Sequence, residues 1–64
     1  MQPYQQRVVE EKKALDDKRK KLGAFIATEP FNLLDTAERG RLLLQAHYMR
    51  EYSHVLAERI AAFP

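Results

Sequence analysis

Apolar residues recur along this chain at helical spacing, and nowhere with the strict alternation of a half-buried strand. The clearest run lies in the second half. Leu42, Ala46, Met49, Ser53, Leu56, Ile60 and Phe63 follow steps of 4, 3, 4, 3, 4 and 3, a coiled-coil-like seam over about three heptads. In the first half Val8, Leu15 and Leu22 recur every seven residues, and Phe25 and Ile26 widen the stripe. On this reading the positions between them are Glu11 and Lys18, both charged. A seam so interrupted is too thin for packing within one hairpin to hold the start of the first helix.

Local signals bound the elements. The pattern predicts helix one over about 4–28, rich in good helix formers such as Glu10, Glu11, Ala14 and Leu15. Asp16 with Lys20 and Asp17 with Lys21 are acid-before-base pairs one turn apart. Thr28-Glu29-Pro30 ends that helix, because proline disfavours helical geometry in the residue before it. The connector, about 29–35, carries Phe31, Leu33 and Leu34, which are expected to cap the hairpin core. Asp35-Thr36-Ala37-Glu38 reads as a capping box opening helix two, about 36–62. Two helices of similar length and a short connector predict an all-α fold: one domain over 1–64, an antiparallel two-helix hairpin.

A second stripe, Leu44, Tyr48, Tyr52 and Val55, runs beside the seam of helix two and would be wet if only helix one covered that helix. Two apolar faces imply two neighbours, and the second is most economically another copy of the chain. Composition points the same way. A chain of 64 residues without cysteine has neither disulfide nor thiolate-metal staple, which leaves assembly into a helical-bundle homo-oligomer. The lack of cysteine also fits a reducing cytoplasm. No apolar run approaches the roughly 18 to 20 residues of a membrane span, and Met1-Gln2-Pro3-Tyr4-Gln5-Gln6 has no signal-peptide core, so a soluble, unprocessed protein is expected.

Candidate chemistry is sparse. No hydroxyl sits in a nucleophile pattern, and Ser53 falls on the seam, where a small residue lets helices approach, so no catalytic residue is assigned and the chain is not read as an enzyme. His47, Glu51, His54 and Glu58 share a helix face, but a solvated stripe opposite a seam explains them, and neither metal nor cofactor is assigned. The net charge of +2 comes from interspersed charges of both signs. The sharpest cluster is Lys18-Arg19-Lys20-Lys21. It reads either as solvated lysines balanced by Asp16 and Asp17, or as a phosphate grip in which Lys18 and Lys21, one turn apart, converge on one anion. The dense acidic neighbours argue against DNA or RNA as partner. Tyr4, near Arg7, is either an apolar anchor or a stacking platform for a planar ligand whose phosphate meets Arg7. Tyr48 and Tyr52 continue an apolar stripe and read as interface. Gly23, inside helix one, costs up to about 1 kcal/mol relative to alanine unless close packing or a ligand uses the missing side chain.

Arg7-Val8-Val9-Glu10-Glu11-Lys12, Leu15-Asp16, Lys21-Leu22, Phe25-Ile26, Phe31, Met49, Tyr52-Ser53, Val55-Leu56 and Arg59-Ile60 together resemble the phage anti-CBASS cyclic-nucleotide sponges, whose helical hairpin is shared with some anti-Thoeris sponges. The resemblance implies a hexamer of hairpins that sequesters cyclic di- and trinucleotide immune messengers without cleaving them. It implies that Lys21, before the Leu-x-x-Phe-Ile stretch, grips phosphate, that Tyr4 stacks on a base, and that Arg59 serves a second type of pocket. Gly23 stands where the family often has a hydroxyl residue, which favours dinucleotides over trinucleotides. The ligand-binding set is therefore Tyr4, Arg7, Lys18, Lys21 and Arg59. A structural coiled-coil-like module that recruits another protein's helices is the alternative.

Overall fold

The computed structural model describes all 64 residues as an all-α hairpin, 47 × 14 × 13 Å. Helix α1 runs Pro3–Ile26, a short α2 Glu29–Asn32, and α3 Thr36–Ala61. Pro3 occupies the first turn of α1, where its missing N–H costs nothing, and the Gln2 N–H is taken up by Gln5 Oε1 at 2.8 Å. The other end of α1 comes at Ile26, before the expected Thr28, and the connector is not irregular but carries α2. Thr28 makes both changes. Its hydroxyl donates to the Phe25 carbonyl at 2.6 Å, closing α1, and accepts from the Phe31 N–H at 3.4 Å, opening α2. Pro30 then lies in the first turn of α2, where a proline is tolerated.

Phe31 is buried against the edge of Phe25, with ring centroids 6.1 Å apart, and Leu34 is half-buried, so these two cap the core as expected. Leu33 does not; it points outward and is 78% exposed. Asp35 caps α3 by accepting from the Glu38 N–H at 3.1 Å. The reciprocal half of the capping box is replaced, because Glu38 Oε1 accepts from Arg41 Nε at 2.7 Å, a charged donor competing for the same carboxylate.

The seam of α3 is the one its spacing predicts: Leu42, Ala46, Met49, Ser53, Leu56, Ile60 and Phe63 are all buried or half-buried. The seam of α1 has the other phase. Gln5, Val8, Lys12, Leu15, Arg19, Leu22 and Ile26 face α3, while Glu11 and Lys18 stand in solvent. Both phases share the heptad of Val8, Leu15 and Leu22, and the long stems of Lys12 and Arg19 cover apolar surface more cheaply than a glutamate could. Val8, Leu15 and Leu56 form the buried core, with Met49, Ile60 and Phe63 packed against it.

Between Lys12 and Arg19 sits Asp16, the centre of the hairpin's polar contacts. Lys12 Nζ donates to its Oδ2 at 2.6 Å, Arg19 Nη1 to its Oδ1 at 3.0 Å, and Ser53 Oγ of α3 to the same Oδ1 at 2.6 Å. The expected pairing of Asp16 with Lys20 is absent because these donors already fill the carboxylate; Asp17 and Lys21 do pair, at 3.0 Å. Ser53 is more than a small spacer, since its buried hydroxyl ties the two helices together. The Lys12 hydrogen bond, then that of Ser53, hold the Asp16 carboxyl well below the usual carboxylate range; partial burial opposes them and Arg19 adds to them.

A carboxyl whose pKa is depressed by folding stabilises the fold above its unfolded value, about 3.9, and loses that contribution as pH falls toward its folded one. Urea unfolding at fixed protein concentration should therefore show a midpoint that declines below about pH 4, with the decline flattened in Asp16→Asn. Ser53→Ala should cost about 1 to 2 kcal/mol near neutral pH, the carboxylate's partial exposure placing it at the lower end for a hydrogen bond to a charged group.

Candidate functional site

The antiparallel register, pinned where Ser53 meets Asp16, lays the end of α3 beside the start of α1. Tyr4, 47% exposed, rests its ring edge-on against Phe63, with centroids 5.9 Å apart and planes at 78°. One side of the tyrosine is thus anchored while the rest stays open, so the two readings of Tyr4, anchor and platform, are compatible. Arg7 lies one turn further along α1, and Arg59 in the last turn of α3, both exposed. Tyr4, Arg7 and Arg59 therefore gather at one end of the hairpin.

Lys18 and Lys21 lie elsewhere. They are exposed on α1, one turn apart, and Lys21 Nζ holds Asp17 Oδ2 at 3.0 Å. At 1.5 Å per residue, Lys21 is about 25 Å along the helix from Tyr4. No single chain brings the tyrosine and this lysine to one small ligand; residues of separate copies would have to meet. Arg7, Lys18 and Lys21 do share a side of α1, since 11 and 14 residues are close to whole numbers of turns.

The sequence reading missed an interhelical groove of about 340 Å³. It is lined by Arg19 and Gly23 of α1 and by Leu43, Ala46, His47 and Arg50 of α3. Gly23 carried the only signal: a Cβ there would meet nothing within 4 Å, so its missing side chain leaves the α1 wall of the groove open. Arg19 was hidden within the basic run, and its place on the seam follows from the phase of α1, which interhelical packing decides.

The groups with reactive potential are otherwise engaged. The Ser53 hydroxyl is buried and given to Asp16, whose carboxylate is also held by two cations, an arrangement that holds helices together and offers no base to activate the oxygen. His54 Nε2 lies 3.2 Å from Glu58 Oε1, and His47 Nδ1 lies 3.5 Å from Arg50 Nη2, so the histidines face different neighbours and do not converge with carboxylates on one point. No helix is long and apolar enough to cross a membrane.

Fold and surface together define the class: an all-α hairpin whose cationic and aromatic side chains stand on open faces. The chain matches the family model described as Sequestin over residues 2–62, nearly its whole length, and belongs to the Sequestin family. No curated protein and no solved structure matches it.

The geometry separates the role of Lys21 from folding. Its exposed i,i+4 pair with Asp17 contributes at most about 0.5 kcal/mol. Lys21→Ala should keep the helical circular dichroism of the parent and unfold within a few degrees of it.

Proposed function

We propose that the protein is a phage anti-defence sponge, which binds cyclic di- and trinucleotide immune messengers, holds them without cleavage, and so suppresses CBASS-type signalling. Membership of the Sequestin family, whose name denotes sequestration, carries this reading. The arrangement of the hairpin supports it. A messenger with two phosphates and two bases suits lysines that neutralise charge and tyrosines that stack, and stacking contributes about 1 to 3 kcal/mol per base with little preference among bases. Lys21 and Tyr4 would act in the dinucleotide site, supported by Arg7 and Lys18, while Arg59 would serve a second pocket.

The distance between Tyr4 and Lys21 makes these sites composite, built where copies meet. The stripe of Leu44, Tyr48, Tyr52 and Val55, each between 45 and 62% exposed, supplies a surface for that meeting. A symmetric homo-oligomer, with the hexamer favoured, places equivalent lysines on either side of a ligand that itself has two-fold symmetry. Function resides in binding alone, and an infected bacterium's cytoplasm is where such messengers accumulate.

Thermal unfolding with a panel of cyclic nucleotides tests the reading. A ligand at 100 times its dissociation constant should stabilise the folded state by about 2.7 kcal/mol and be recovered intact. Lys21→Ala should remove the dinucleotide shift without changing the oligomer seen by sedimentation. Tyr52→Glu, which puts a charge into the stripe, should dissociate the oligomer and lose the shift with it. Absence of any shift, together with capture of a stoichiometric protein partner on the stripe, would favour the helix-recruiting alternative.

A further inference from the structure

The two hollows on the molecule differ in the charge they present. One lies on α1 alone and mixes Glu10, Asp16 and Asp17 with Lys13 and Lys20. The interhelical groove presents Arg19, His47 and Arg50, with no carboxylate among its lining residues. We infer that this groove is a separate site for a terminal phosphate group, a phosphate monoester of the kind a 5′-mononucleotide carries, held by Arg19 from α1 and by Arg50 and His47 from α3.

The guanidinium of Arg19 is oriented in advance, because its Nη1 is held by Asp16 at 3.0 Å while its other N–H groups have no protein acceptor. Arg50 has only long contacts to exchange, 3.5 Å from Nε to Glu51 Oε1 and 3.5 Å from Nη2 to His47 Nδ1. Arg50, loosely held, and Arg19, which shares its charge with Asp16 through Nη1, still present guanidinium N–H donors from two helices that can bond phosphate oxygens in pairs. The charged groups around His47 are Arg50 and Glu51 on its own helix and Arg19 across the groove. All but Glu51 favour an anion there, and Glu51 is not among the lining residues.

Size limits the ligand further. About 340 Å³ is at the lower end of small-molecule sites, which run from about 300 to 1,000 Å³, and suits one nucleotide unit better than a ring of two or three. Leu43, half-exposed at the rim, offers apolar contact to the sugar or base. The groove is also distinct from the lysine grip. Gly23 and Lys21 are roughly 200° apart around α1, on opposite sides of the helix.

The test is a titration of the full chain with sodium sulfate and with adenosine 5′-monophosphate, followed residue by residue by NMR. Saturable shifts centred on Arg19, Gly23, His47 and Arg50 are expected with both probes. Arg50→Gln should weaken both by about tenfold, the loss of one charge-assisted hydrogen bond. His47→Gln should weaken binding, and His54→Gln, whose partner is Glu58, should leave it unchanged. Lys21→Ala should retain this binding, so the site stands or falls separately from the sponge reading. Shifts that do not saturate, shifts centred on Lys18 and Lys21, or undiminished binding by Arg50→Gln would overturn it.

Discussion

The carboxylate of Asp16 is where the two long helices of this hairpin are held in register. An apolar seam with so few large residues on the α1 side can exchange one aliphatic contact for another, within the limits set by the short connector and its Phe25–Phe31 packing. A hydroxyl bonded to a carboxylate cannot do so without loss. Ser53 is buried in the seam of α3, and away from Asp16 its hydroxyl would exchange a hydrogen bond to a charged carboxylate for the weaker local one that a helical serine can make to the carbonyl one turn back. Lys12 and Arg19 complete the arrangement by occupying seam positions, shielding the core with their stems and turning their charged ends onto the same carboxylate. Polar groups at heptad positions commonly trade stability for register in this way.

Everything at the ends of the molecule follows from that register. It sets Phe63 against Tyr4 and brings Arg59 to the end that carries Arg7. It also sets Arg19 and Gly23 opposite Ala46 and Arg50, which forms the interhelical groove. A shift of one heptad would separate these groups by about 10 Å. The clamp thus positions surface chemistry that it does not touch.

The same economy explains the exposed stripe on α3. Among apolar residues only Val8, Leu15, Phe31 and Leu56 are buried, too little for a chain of this size to be stable by its core alone. The side chains that would add to that core, Tyr48 and Tyr52 with Leu44 and Val55, are turned away from α1. Association would cover them, and in the sponge reading it would also assemble the ligand sites, so folding, assembly and binding draw on the same surface.

Much of the hairpin was legible in the sequence. The 4,3 spacing from Leu42 to Phe63 specifies which side of α3 is covered, because helical geometry converts spacing into direction without reference to any partner. The turn signals at Thr28-Glu29-Pro30 and Asp35 are local for the same reason, and they mark the helix boundaries to within two residues. What the sequence left open were choices between partners. Val8, Leu15 and Leu22 allow either Glu11 and Lys18 or Lys12 and Arg19 beside them, and only packing against α3 selects the second pair. Asp16 had Lys20 as an adequate local partner, and only the approach of Ser53, 37 residues away, made another arrangement better. The separation of Tyr4 from Lys21 and the groove at Gly23 likewise belong to the tertiary structure, since they depend on which residues face one another across the hairpin, and spacing along one helix carries no information about the register of the next.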